Sequence, residues 1–426
     1  MTDLGVSTKE GRSDEPHVVI VVLGDIGRSP RMQFHALAFA KNGWRVTLLG
    51  YSGESLLQTL ETSSLVRVRH LWNPVFSKLP YLLSGPLRLL VLSFQLKIQL
   101  LFLIWNWDLV LTQSPPAVPT LPIAWLATRI RSLLARSRKR FIVDWHNLGY
   151  ARFSEKVGAD SLAVRIYRRI EEQFGSWADG QLCVSRQMKG YLEKERGAQD
   201  VHVLYDRPLQ EQIDSASQLN RAQWLARFSD GSQIDANEAL LLISSTSWSD
   251  DEDPTMLLNS ARRLESYYDS IDARGIQMMI VITGKGPNRR SFEEQVASSA
   301  FNHIAFRTGW FTVDEYRGLL NSADVGICLH LSASGIDLPM KLADMLGAAL
   351  PTLCFNYGET LKERFVEGQH GFLFVSENDL FEQLLNLAKE RASSRLGSMR
   401  RMESDDPIES WESGWIREAL PLFQST

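Results

Sequence analysis

Residues 17–50 read HVVIVVLGDIGRSPRMQFHALAFAKNGWRVTLLG, and this stretch decides the fold class. Its first eight residues, 17–24, form a Val-rich apolar run that ends in glycine, which is typical of a strand buried in a parallel sheet. Residues 31–42 then show helical spacing of apolar side chains, Gly43 ends that helix, and residues 45–50 form a second strand. A strand, turn, helix and strand in this order predict the opening of a doubly wound α/β sheet.

The same alternation continues along the chain and is then repeated. Further strand-like runs lie at 65–69, 108–112, 140–144 and 180–184. A polar connection at 205–236 follows, and strands and helices then alternate a second time. We therefore predict two Rossmann-like halves, at 17–215 and at 237–390. Ligands of such sheets bind beyond the carboxyl ends of the strands, so two facing halves can hold a donor and an acceptor.

The two ends of the chain carry different signals. Residues 1–16 contain no apolar run of signal-peptide or anchor length. We expect a disordered tail there and a protein that stays on the cytosolic side of any membrane. Residues 405–426 include Trp411, Trp415 and Leu420, and they predict an amphipathic helix that packs back on the N-terminal half.

The composition is that of an ordinary globular protein. The 426 residues are 44% hydrophobic and 23% charged, which is enough apolar material for two cores. The net charge of −4 gives no reason to expect a nucleic-acid partner. The cysteines Cys183, Cys328 and Cys354 have no metal-ligand spacing, and we expect them to be small buried residues in a reducing compartment.

The most informative motif is GIDLPMKLADM at residues 335–345. Asp337 is a favourable N-cap and Pro339 suits the first turn of a helix, which leaves backbone N–H groups free to bind an anion. Lys341 adds a positive charge, and the side chain of Asp344 points back toward the same helix end. The motif therefore predicts a diphosphate at the helix start and a carboxylate on the ribose hydroxyls. An ordinary capped helix is the structural alternative.

Three further segments follow strands and offer groups that bind phosphate. Residues 24–28, GDIGR, lack the third glycine of the dinucleotide fingerprint but still allow a close backbone approach. Lys285 stands between two glycines, and residues 244–248, SSTSW, offer hydroxyl groups. Each segment has a purely structural alternative as a tight or solvated turn. The predicted donor-binding residues are Gly24, Gly27, Arg28, Ser245, Thr246, Lys285, Gly335, Asp337, Leu338, Lys341 and Asp344.

Acid–base chemistry on the acceptor has three candidate residues. Asp144 and His146 follow a strand of the first half, and Asp25 lies in its first turn. A sugar hydroxyl must lose its proton, so one of these groups should reach it, and the residues alone do not choose among them. The acidic residues at 250–253 suit the macrodipole of the following helix better than a metal ion, so no metal site is predicted.

Residues 81–105 form the longest apolar run and are long enough to cross a bilayer. Charged and amide side chains interrupt the run, and strands of one predicted sheet lie on both sides of it, at 17–50 and 108–144. We therefore expect this segment to lie in the membrane interface with its apolar side down. Six basic residues within 129–140 would attract anionic headgroups and a lipid diphosphate. The alternative is a buried core helix followed by a solvated basic loop.

Four motifs resemble one family of glycosyltransferases. They are GDIGRSPRM at 24–32, DWHN at 144–147, SSTSW at 244–248 and SGIDLPMK at 334–341. Over about residues 17–390 the chain looks like the chitobiosyldiphosphodolichol β-mannosyltransferases. The resemblance implies the GT-B fold, with two Rossmann-like doubly wound parallel-sheet domains facing across a cleft. It also implies inverting transfer of mannose from GDP-mannose to dolichyl-diphosphate-chitobiose, which forms a β-1,4 bond in N-glycan precursor assembly.

The resemblance has further implications for location and cofactors. It implies peripheral or monotopic attachment to the cytosolic face of the endoplasmic reticulum membrane, with other glycosyltransferases of the pathway as partners. No tightly bound cofactor is expected, and assistance by Mg²⁺ stays open.

Two features depart from the family. Residues 1–16 lack the hydrophobic anchor of animal and fungal members, and 244–248 lack the arginine–lysine pair common in the superfamily. Lys285, Lys341 and Arg28 must then supply the charge for the diphosphate.

Two other functions remain open at this point. The same fold could serve another lipid-linked or soluble sugar acceptor, or the chain could be a non-catalytic paralogue that acts as a scaffold. An oxidoreductase is disfavoured because the dinucleotide fingerprint is missing and the Rossmann-like half is duplicated.

Overall fold

The structure is a computed structural model of the chain. It describes residues 15–74, 81–214, 219–249, 252, 254–389 and 409–424. Most of the predicted N-terminal tail, and the aspartates Asp250, Asp251 and Asp253 of the rejected metal site, lie outside the described residues. The contacts divide the chain into two compact bodies, of which the first ends at Leu182 and also includes 196–201.

The first body contains a seven-stranded sheet in which all registered pairs are parallel, in the order β3-β2-β1-β4-β5-β6-β7. Its strands are β1 (His17–Asp25), β2 (Arg45–Tyr51), β3 (Val66–Leu71), β4 (Leu109–Ser114), β5 (Arg140–Trp145), β6 (Gly180–Cys183) and β7 (Val201–Val203). The predicted strand–turn–helix–strand opening is confirmed, with α1 at Pro30–Lys41 between β1 and β2. Gly43 follows the helix with φ of +78°, a left-handed conformation that glycine adopts without strain.

The helices that follow in the chain are α2 (Gln58–Glu61), α3 (Tyr81–Ile98), α4 (Thr120–Ala135), α5 (Gly149–Val157), α6 (Leu162–Ser176) and α7 (Arg186–Arg196). A π-helical turn at Gln99–Leu103 extends α3. Residue Val18 of β1 pairs with Leu109 of β4, so the strands before and after α3 belong to one sheet, as predicted. A single membrane crossing by α3 would place these strands on opposite sides of the bilayer, and the interfacial position of this segment stays a prediction.

The second body contains a six-stranded parallel sheet in the order β10-β9-β8-β11-β12-β13. Its strands are β8 (Leu240–Ser245), β9 (Met278–Thr283), β10 (Ile304–Gly309), β11 (Val325–Cys328), β12 (Thr352–Phe355) and β13 (Gly371–Phe374). Alternate residues of β8 enter two hydrophobic clusters, Leu240 and Leu242 on one face and Leu241 and Ile243 on the other. Helices therefore cover both faces of the sheet, as the continuous apolar strands predict.

Helices of the second body connect these strands or follow them. They are α8 (Gln210–Asp214), α9 (Arg221–Phe228), α10 (Thr255–Ser270), α11 (Arg289–Ala297), α12 (Val313–Ser322), α13 (Met340–Gly347), α14 (Glu377–Lys389), α15 (Trp411–Glu418) and α16 (Leu420–Gln424). The predicted C-terminal helix is thus two short helices within the described residues. The N–H of Trp411 donates to the carbonyl of Pro208 at 2.7 Å, and Arg207 pairs with Glu409 at 2.7 Å. Packing of this helix on the N-terminal half stays a prediction.

The three cysteines are all free and buried, as expected from the sequence. Cys328 of β11 and Cys354 of β12 are direct partners in the sheet register.

Candidate functional site

The loop before α13 is held by its own hydroxyl and carboxylate groups. Asp337 accepts hydrogen bonds from the hydroxyls of Ser332 and Ser334, the latter at 3.1 Å. The N–H of Gly335 donates to Ser332 Oγ at 2.8 Å, and Gly335 has φ of +72°, which suits glycine. Thr360 donates to the carbonyl of Gly335 at 2.6 Å. Hydrogen bonds within the protein therefore hold the loop that carries the strongest motif.

The predicted N-cap role of Asp337 is wrong. Helix α13 begins at Met340 with Pro339 as its N-cap residue, and no side chain caps it. Asp337 lies two positions before the cap, so its carboxylate bonds within the loop and to His330, at 3.2 Å from His330 Nε2. No side chain caps the N–H groups at the start of α13, of which that of Leu342 donates to the carbonyl of Pro339 at 3.1 Å. Anion binding at this helix end stays a prediction.

A chain of alternating charges connects Lys341 to Asp337. Lys341 Nζ donates to Glu252 Oε1 at 2.5 Å and to the carbonyl of Ser245 at 2.8 Å. Glu252 Oε1 also lies 3.4 Å from His330 Nδ1, and the other ring nitrogen of His330 faces Asp337. The predicted cation Lys341 therefore shares its site with an acidic partner on the turn after β8.

The protonation states of this chain follow from its contacts. Burial alone would lower the pKa of His330, but its hydrogen bonds to Asp337 and Glu252 raise it to about 9, so the ring is positively charged at neutral pH. Burial opposes ionisation of the carboxyl groups of Asp337 and Glu252. The hydrogen bonds from His330 nevertheless lower the pKa of Asp337, and those from His330 and Lys341 lower that of Glu252. Two cations thus stand beside the start of α13.

Sequence reasoning missed Glu252 and His330. Glu252 forms a Ser-x-x-Glu pattern with Ser249, which predicts a capping box, but its carboxylate accepts the N–H of Ser247 at 2.6 Å and turns toward Lys341. His330 lies two residues after the end of β11. Its place beyond the carboxyl end of a central strand was the signal that could have identified it.

Asp344 lies in a different environment from Asp337. It is partly buried on α13, and the hydroxyl of Tyr316 donates to its Oδ2 at 3.5 Å while also meeting Ser245 Oγ at 2.8 Å. Burial raises the pKa of Asp344 to about 6, although the nearby guanidinium of Arg317 favours the charged form. A carboxylate with so few donors can accept further hydrogen bonds, which suits the predicted contact with ribose hydroxyls.

The Gly284–Gly286 turn packs directly on the segment after β8. A Cβ at Gly284 would lie 1.7 Å from the carbonyl oxygen of Thr246, and one at Gly286 would lie 1.9 Å from that of Ser247. Glycines are therefore required at both positions, and Lys285 stands between them with Nζ 4.4 Å from the ring centre of Trp310. Lys285 therefore lies on a turn that packs against residues 246–247, and its contact with the donor stays a prediction.

Two other predicted donor residues are occupied within the protein. Thr246 Oγ1 accepts the N–H of Trp248 at 3.0 Å and donates to the carbonyl of Glu252 at 3.2 Å, so its hydroxyl shapes the turn. Leu338 packs against the core cluster of one sheet face.

In the first body, Asp144 is fully buried at the end of β5 and is saturated with partners. Arg31 binds both carboxylate oxygens, at 2.7 and 2.8 Å, and His35 Nε2 lies 3.1 Å from Oδ2. His146 Nε2 lies 2.9 Å from the same oxygen. Burial alone would raise the pKa of Asp144, but the charge of Arg31 and the hydrogen bonds of the two histidines hold it well below its usual range.

His146 is the accessible member of this cluster. Its side chain is 19% exposed, whereas those of Arg31, His35 and Asp144 are at most 1% exposed. Burial lowers the pKa of His35 despite its contact with Asp144, so the ring of His35 is neutral. Because Nε2 of His146 faces the carboxylate, Nδ1 is the nitrogen that can meet another molecule.

Asp25 holds two loops together at the end of β1. Its carboxylate accepts the N–H of Gly27 at 2.9 Å and the N–H of Glu54 at 3.0 Å. A Cβ at Gly27 would lie 2.3 Å from the carbonyl oxygen of Glu54, so this glycine is required by the protein itself. A Cβ at Gly24 would meet only Val22 at 3.9 Å, and Arg28 is exposed. Donor binding by this turn stays a prediction.

Glu171 on α6 is a buried carboxyl group that sequence reasoning missed. It accepts the N–H of Gly149 at 2.8 Å and that of Tyr150 at 3.1 Å, the first two residues of α5. Burial raises its pKa to about 7 in spite of these bonds. Glu171 lies seven residues, or two helical turns, after buried Val164, and this spacing could have predicted that Glu171 lies on the core face of α6. Glu171 thereby supports the helix that follows the Asp144–His146 loop.

The apolar segment after β3 is largely exposed in this structure. Ser84–Leu103 has the length and composition of a membrane-spanning helix, but only 17% of its most apolar window is buried. Leu90, Phe94, Phe102 and Trp105 are each more than 60% exposed. The buried-core alternative is therefore not supported, and the side chains are available for an interfacial role.

Some residues near this segment have structural roles instead. Trp107 is 1% exposed and its ring N–H donates to the carbonyl of Leu100. Arg131 of the basic run is buried against Trp105, with its guanidinium 4.4 Å from the ring centre. Lys139 pairs with Asp108 at 2.9 Å. Arg129, Arg136 and Arg138 remain exposed.

One further group among the described residues has metal-ligand proximity, formed by Glu265, Asp269 and His303. Glu265 already accepts three backbone N–H groups at 302–304, and His303 Nδ1 lies 3.1 Å from the carbonyl of Gly275. These bonds explain the cluster as a support for the start of β10.

Comparison with known proteins agrees with this architecture. Residues 26–205 match the family described as Glycosyl transferase 4-like domain, and residues 239–390 match Glycosyl transferases group 1. Among solved structures, a sucrose-phosphate synthase from Thermosynechococcus elongatus superposes with a TM-score of 0.64 at 15% identity, covering 95% of this chain and 97% of its own. An α,α-trehalose 6-phosphate synthase from Burkholderia multivorans gives a TM-score of 0.63 at 12% identity, covering 94% and 97%. The fold is GT-B.

Relatives at higher identity define the family. The Arabidopsis thaliana protein named UDP-glycosyltransferase TURAN is 33% identical, over 95% of this chain and 96% of its own. The Homo sapiens chitobiosyldiphosphodolichol beta-mannosyltransferase is 31% identical, over 96% and 93%, and the Kluyveromyces lactis enzyme of that name is 31% identical, over 95% and 90%. The donor and acceptor motifs predicted from the sequence thus lie in a GT-B glycosyltransferase, and the chain belongs to the chitobiosyldiphosphodolichol beta-mannosyltransferase family.

Proposed function

We propose that the protein transfers mannose from GDP-mannose to dolichyl-diphosphate-linked chitobiose, forming a β-1,4 bond with inversion at the anomeric carbon. The names of the relatives supply the acceptor and the sugar. The observation that carries the proposal is the arrangement on α13, where Lys341 at the start of the helix and the underused carboxyl of Asp344 stand beside the turn after β8.

The donor diphosphate is assigned to the start of α13. The uncapped N–H groups of this helix, Lys341, protonated His330 and Lys285 provide positive potential there. Asp344 accepts hydrogen bonds from the ribose hydroxyls. As the bond to mannose breaks, negative charge develops on the diphosphate, and these groups stabilise it. No tightly bound cofactor is part of the proposal, and assistance by Mg²⁺ stays open, which a transfer assay with and without a chelator decides.

The nucleobase is the least constrained part of the donor. One relative is named a UDP-glycosyltransferase, whereas the resemblance to the mannosyltransferases implies a GDP-sugar. The proposal takes GDP-mannose, and direct competition between GDP and UDP for the purified protein separates the two donors.

His146 is assigned as the base that takes the proton from the acceptor hydroxyl. Inversion needs one displacement, in which the acceptor oxygen attacks the anomeric carbon while its proton moves to a base. Asp144 is saturated and strongly acidic, so it accepts no further proton but positions His146 through Nε2 and leaves Nδ1 for the acceptor. Asp25 is bound to two backbone N–H groups and is assigned a structural role.

Attachment to the cytosolic face of the endoplasmic reticulum membrane is assigned to Ser84–Leu103. The exposed Leu90, Phe94 and Phe102 would enter the headgroup region, and the exposed arginines at 129–138 would meet anionic lipid. Peripheral or monotopic attachment suits an acceptor whose lipid stays in the bilayer while its sugar projects into the cytosol. Neighbouring glycosyltransferases of the pathway would meet the protein on the same surface.

The test is a transfer assay with purified protein, radiolabelled GDP-mannose and a lipid-linked chitobiose acceptor, with the configuration of the product determined. His146→Ala is expected to lower kcat by ~10²–10⁴-fold, because a general base contributes that much. His70→Ala, an exposed histidine on β3, is the matched control and should retain full activity. An α-linked product, transfer only from UDP-sugars, or full activity of His146→Ala would each refute the corresponding assignment.

A further inference from the structure

Exposed apolar side chains of the first body extend beyond the segment 84–105. Helix α3 packs on α4, and α4 packs on α6. The outer side of α4 exposes Leu126, Leu133 and Leu134, of which the last two are 79% and 69% exposed. Helix α6 exposes Leu162 at 63% and Ile166 at 52%.

Helix α6 has two apolar faces. Val164 and Gly175 lie on its buried face, whereas Leu162 and Ile166 are spaced by four residues on an uncovered face. Trp177, which follows the helix, is 42% exposed and stacks near Trp125 of α4 with ring centres 4.8 Å apart. The apolar surface of α4 therefore continues onto α6, and contiguous surfaces of this kind mark interaction sites.

The charges around this surface favour anionic lipid over a protein partner. The sequence contains no acidic residue from 109 to 143, whereas α4 and the turn after it contain the exposed Arg129, Arg136 and Arg138. Arg129 and Arg138 lie 3.7 and 3.5 Å from Asp179. On α6, Arg165, Arg168 and Arg169 are exposed, and the acidic Glu172 is paired with Arg168 at 2.5 Å. Leucine, isoleucine and tryptophan flanked by arginine form the pattern of a helix that lies in a bilayer interface.

The same helix supports the acceptor-side loop. Glu171, on the buried face of α6, accepts the first two N–H groups of α5, which directly follows the loop that carries His146. A helix is about 10 Å across. A bilayer that touches the outer face of α6 would therefore lie roughly one helix diameter from this loop.

We propose that the outer faces of α6 and α4 form a second bilayer contact that sets the height of the Asp144–His146 loop above anionic headgroups. The contact is distinct from Ser84–Leu103, and its effect on transfer rests on the proposed function. A lipid-linked diphosphate would project its sugar into the space between this surface and the loop.

The test compares the variant Leu162→Ser/Ile166→Ser/Trp177→Ser with the wild type in two assays. Flotation with vesicles of phosphatidylcholine and phosphatidylserine should fall on the order of 10-fold, because three apolar side chains leave the interface. Transfer to a vesicle-embedded acceptor should fall similarly, while transfer to a short-chain, water-soluble acceptor should stay at the wild-type rate. The matched control Val313→Ser/Val366→Ser/Val375→Ser alters equally exposed residues of the second body and should float normally.

A second variant covers the case in which the triple variant fails to fold. Arg165→Gln/Arg169→Gln should reduce flotation with vesicles that contain phosphatidylserine and leave binding to purely neutral vesicles unchanged. Wild-type flotation of both α6 variants would overturn the proposal. If the variants floated normally but no longer bound another protein, the surface would be a protein interface, and the proposal would be overturned as well. If the protein transfers no mannose to any acceptor, the proposed function fails, but the flotation results still decide the bilayer contact.

Discussion

Two buried polar clusters, one in each body, show how differently a carboxylate can be used. In the first body, Asp144 gathers Arg31, His35 and His146 around a single carboxylate. In the second body, two carboxylates and two cations alternate along the chain from Lys341 through Glu252 and His330 to Asp337. In the first body the carboxylate of Asp144 is surrounded by donors, and His146 remains partly exposed. In the second, the side-chain charges balance, so the positive potential at the helix start comes from the backbone N–H groups.

An aspartate within a sequence motif is therefore not by itself a catalytic base. Asp144 has the position of a catalytic acid–base group, but its carboxylate already makes four hydrogen bonds, to Arg31, His35 and His146. Asp344 makes one weak hydrogen bond to a side chain and has a raised pKa. The capacity to bind a new partner therefore lies with the residues whose hydrogen bonds are incomplete.

The largest effect is expected from Asp144→Asn. The change leaves the guanidinium of Arg31 buried without its counter-ion, so the free energy of unfolding of the first body should fall by about 3–5 kcal/mol. Urea denaturation followed by tryptophan fluorescence measures this loss. Glu294→Gln removes one partner of the exposed Arg290–Glu294 pair and should cost at most about 1 kcal/mol. Equal losses in the two variants would show that the Asp144 cluster is not a buried charge network.

The next effect separates binding from stability at Asp344. Asp344→Asn should weaken GDP binding roughly 10–100-fold, because a charge-assisted hydrogen bond is lost. The same variant should stabilise the ligand-free protein at pH 8 by ~1–3 kcal/mol, because an acid whose native pKa is raised costs stability once it is ionised. Calorimetry and thermal unfolding give the two values. Asp272→Asn is the exposed control, and a variant that lost both affinity and stability would argue for a structural role.

The pH dependence of binding tests the same carboxyl group. Its pKa rises from 3.8 to about 6 in the folded protein, so it becomes ionised as the pH rises through 6. GDP affinity should therefore increase about 10-fold between pH 5 and pH 7. GDP itself titrates in this range, so the informative quantity is the difference between the wild type and Asp344→Asn. If the two profiles run parallel, Asp344 does not contact the nucleotide.

The smallest effect is expected from Tyr316→Phe. The hydroxyl of Tyr316 bridges Ser245 and Asp344, and its loss should cost about 0.5–1.5 kcal/mol of GDP binding, or roughly 2–10-fold. Titration calorimetry measures this change, with Tyr267→Phe on α10 as the control. A loss larger than that of Asp344→Asn would make Tyr316, and not the carboxylate, the main contact of this group.

The sequence predicted much of the fold and part of the candidate site. The apolar strands, the repeated alternation and the resemblance of four motifs indicated two parallel sheets and a glycosyltransferase. Lys285, Ser245 and Lys341 were all predicted to bind the donor. In the structure Lys341 donates to the carbonyl of Ser245, and Lys285 lies on the turn that packs on residues 246–247. These features are local, because strand periodicity, glycine turns and helix starts depend on residues close in the chain.

Other features depended on distant partners. Arg31 and Asp144 are separated by 113 positions, and they meet only because β1 and β5 flank β4 in the sheet. The assignment of Asp337 as an N-cap failed for a local reason, because Ser332, Ser334 and His330 hold its carboxylate within the loop.

The sequence by itself determined the alternation of strands and helices, the glycines of the turns and the position of the long apolar segment in the chain. Only the tertiary structure decided which carboxylates are saturated, which histidine remains accessible and which apolar side chains stay uncovered. The physical reason is that pKa and exposure depend on the groups packed around a side chain. The order of the strands in the sheet selects those groups, and no short stretch of sequence records that order.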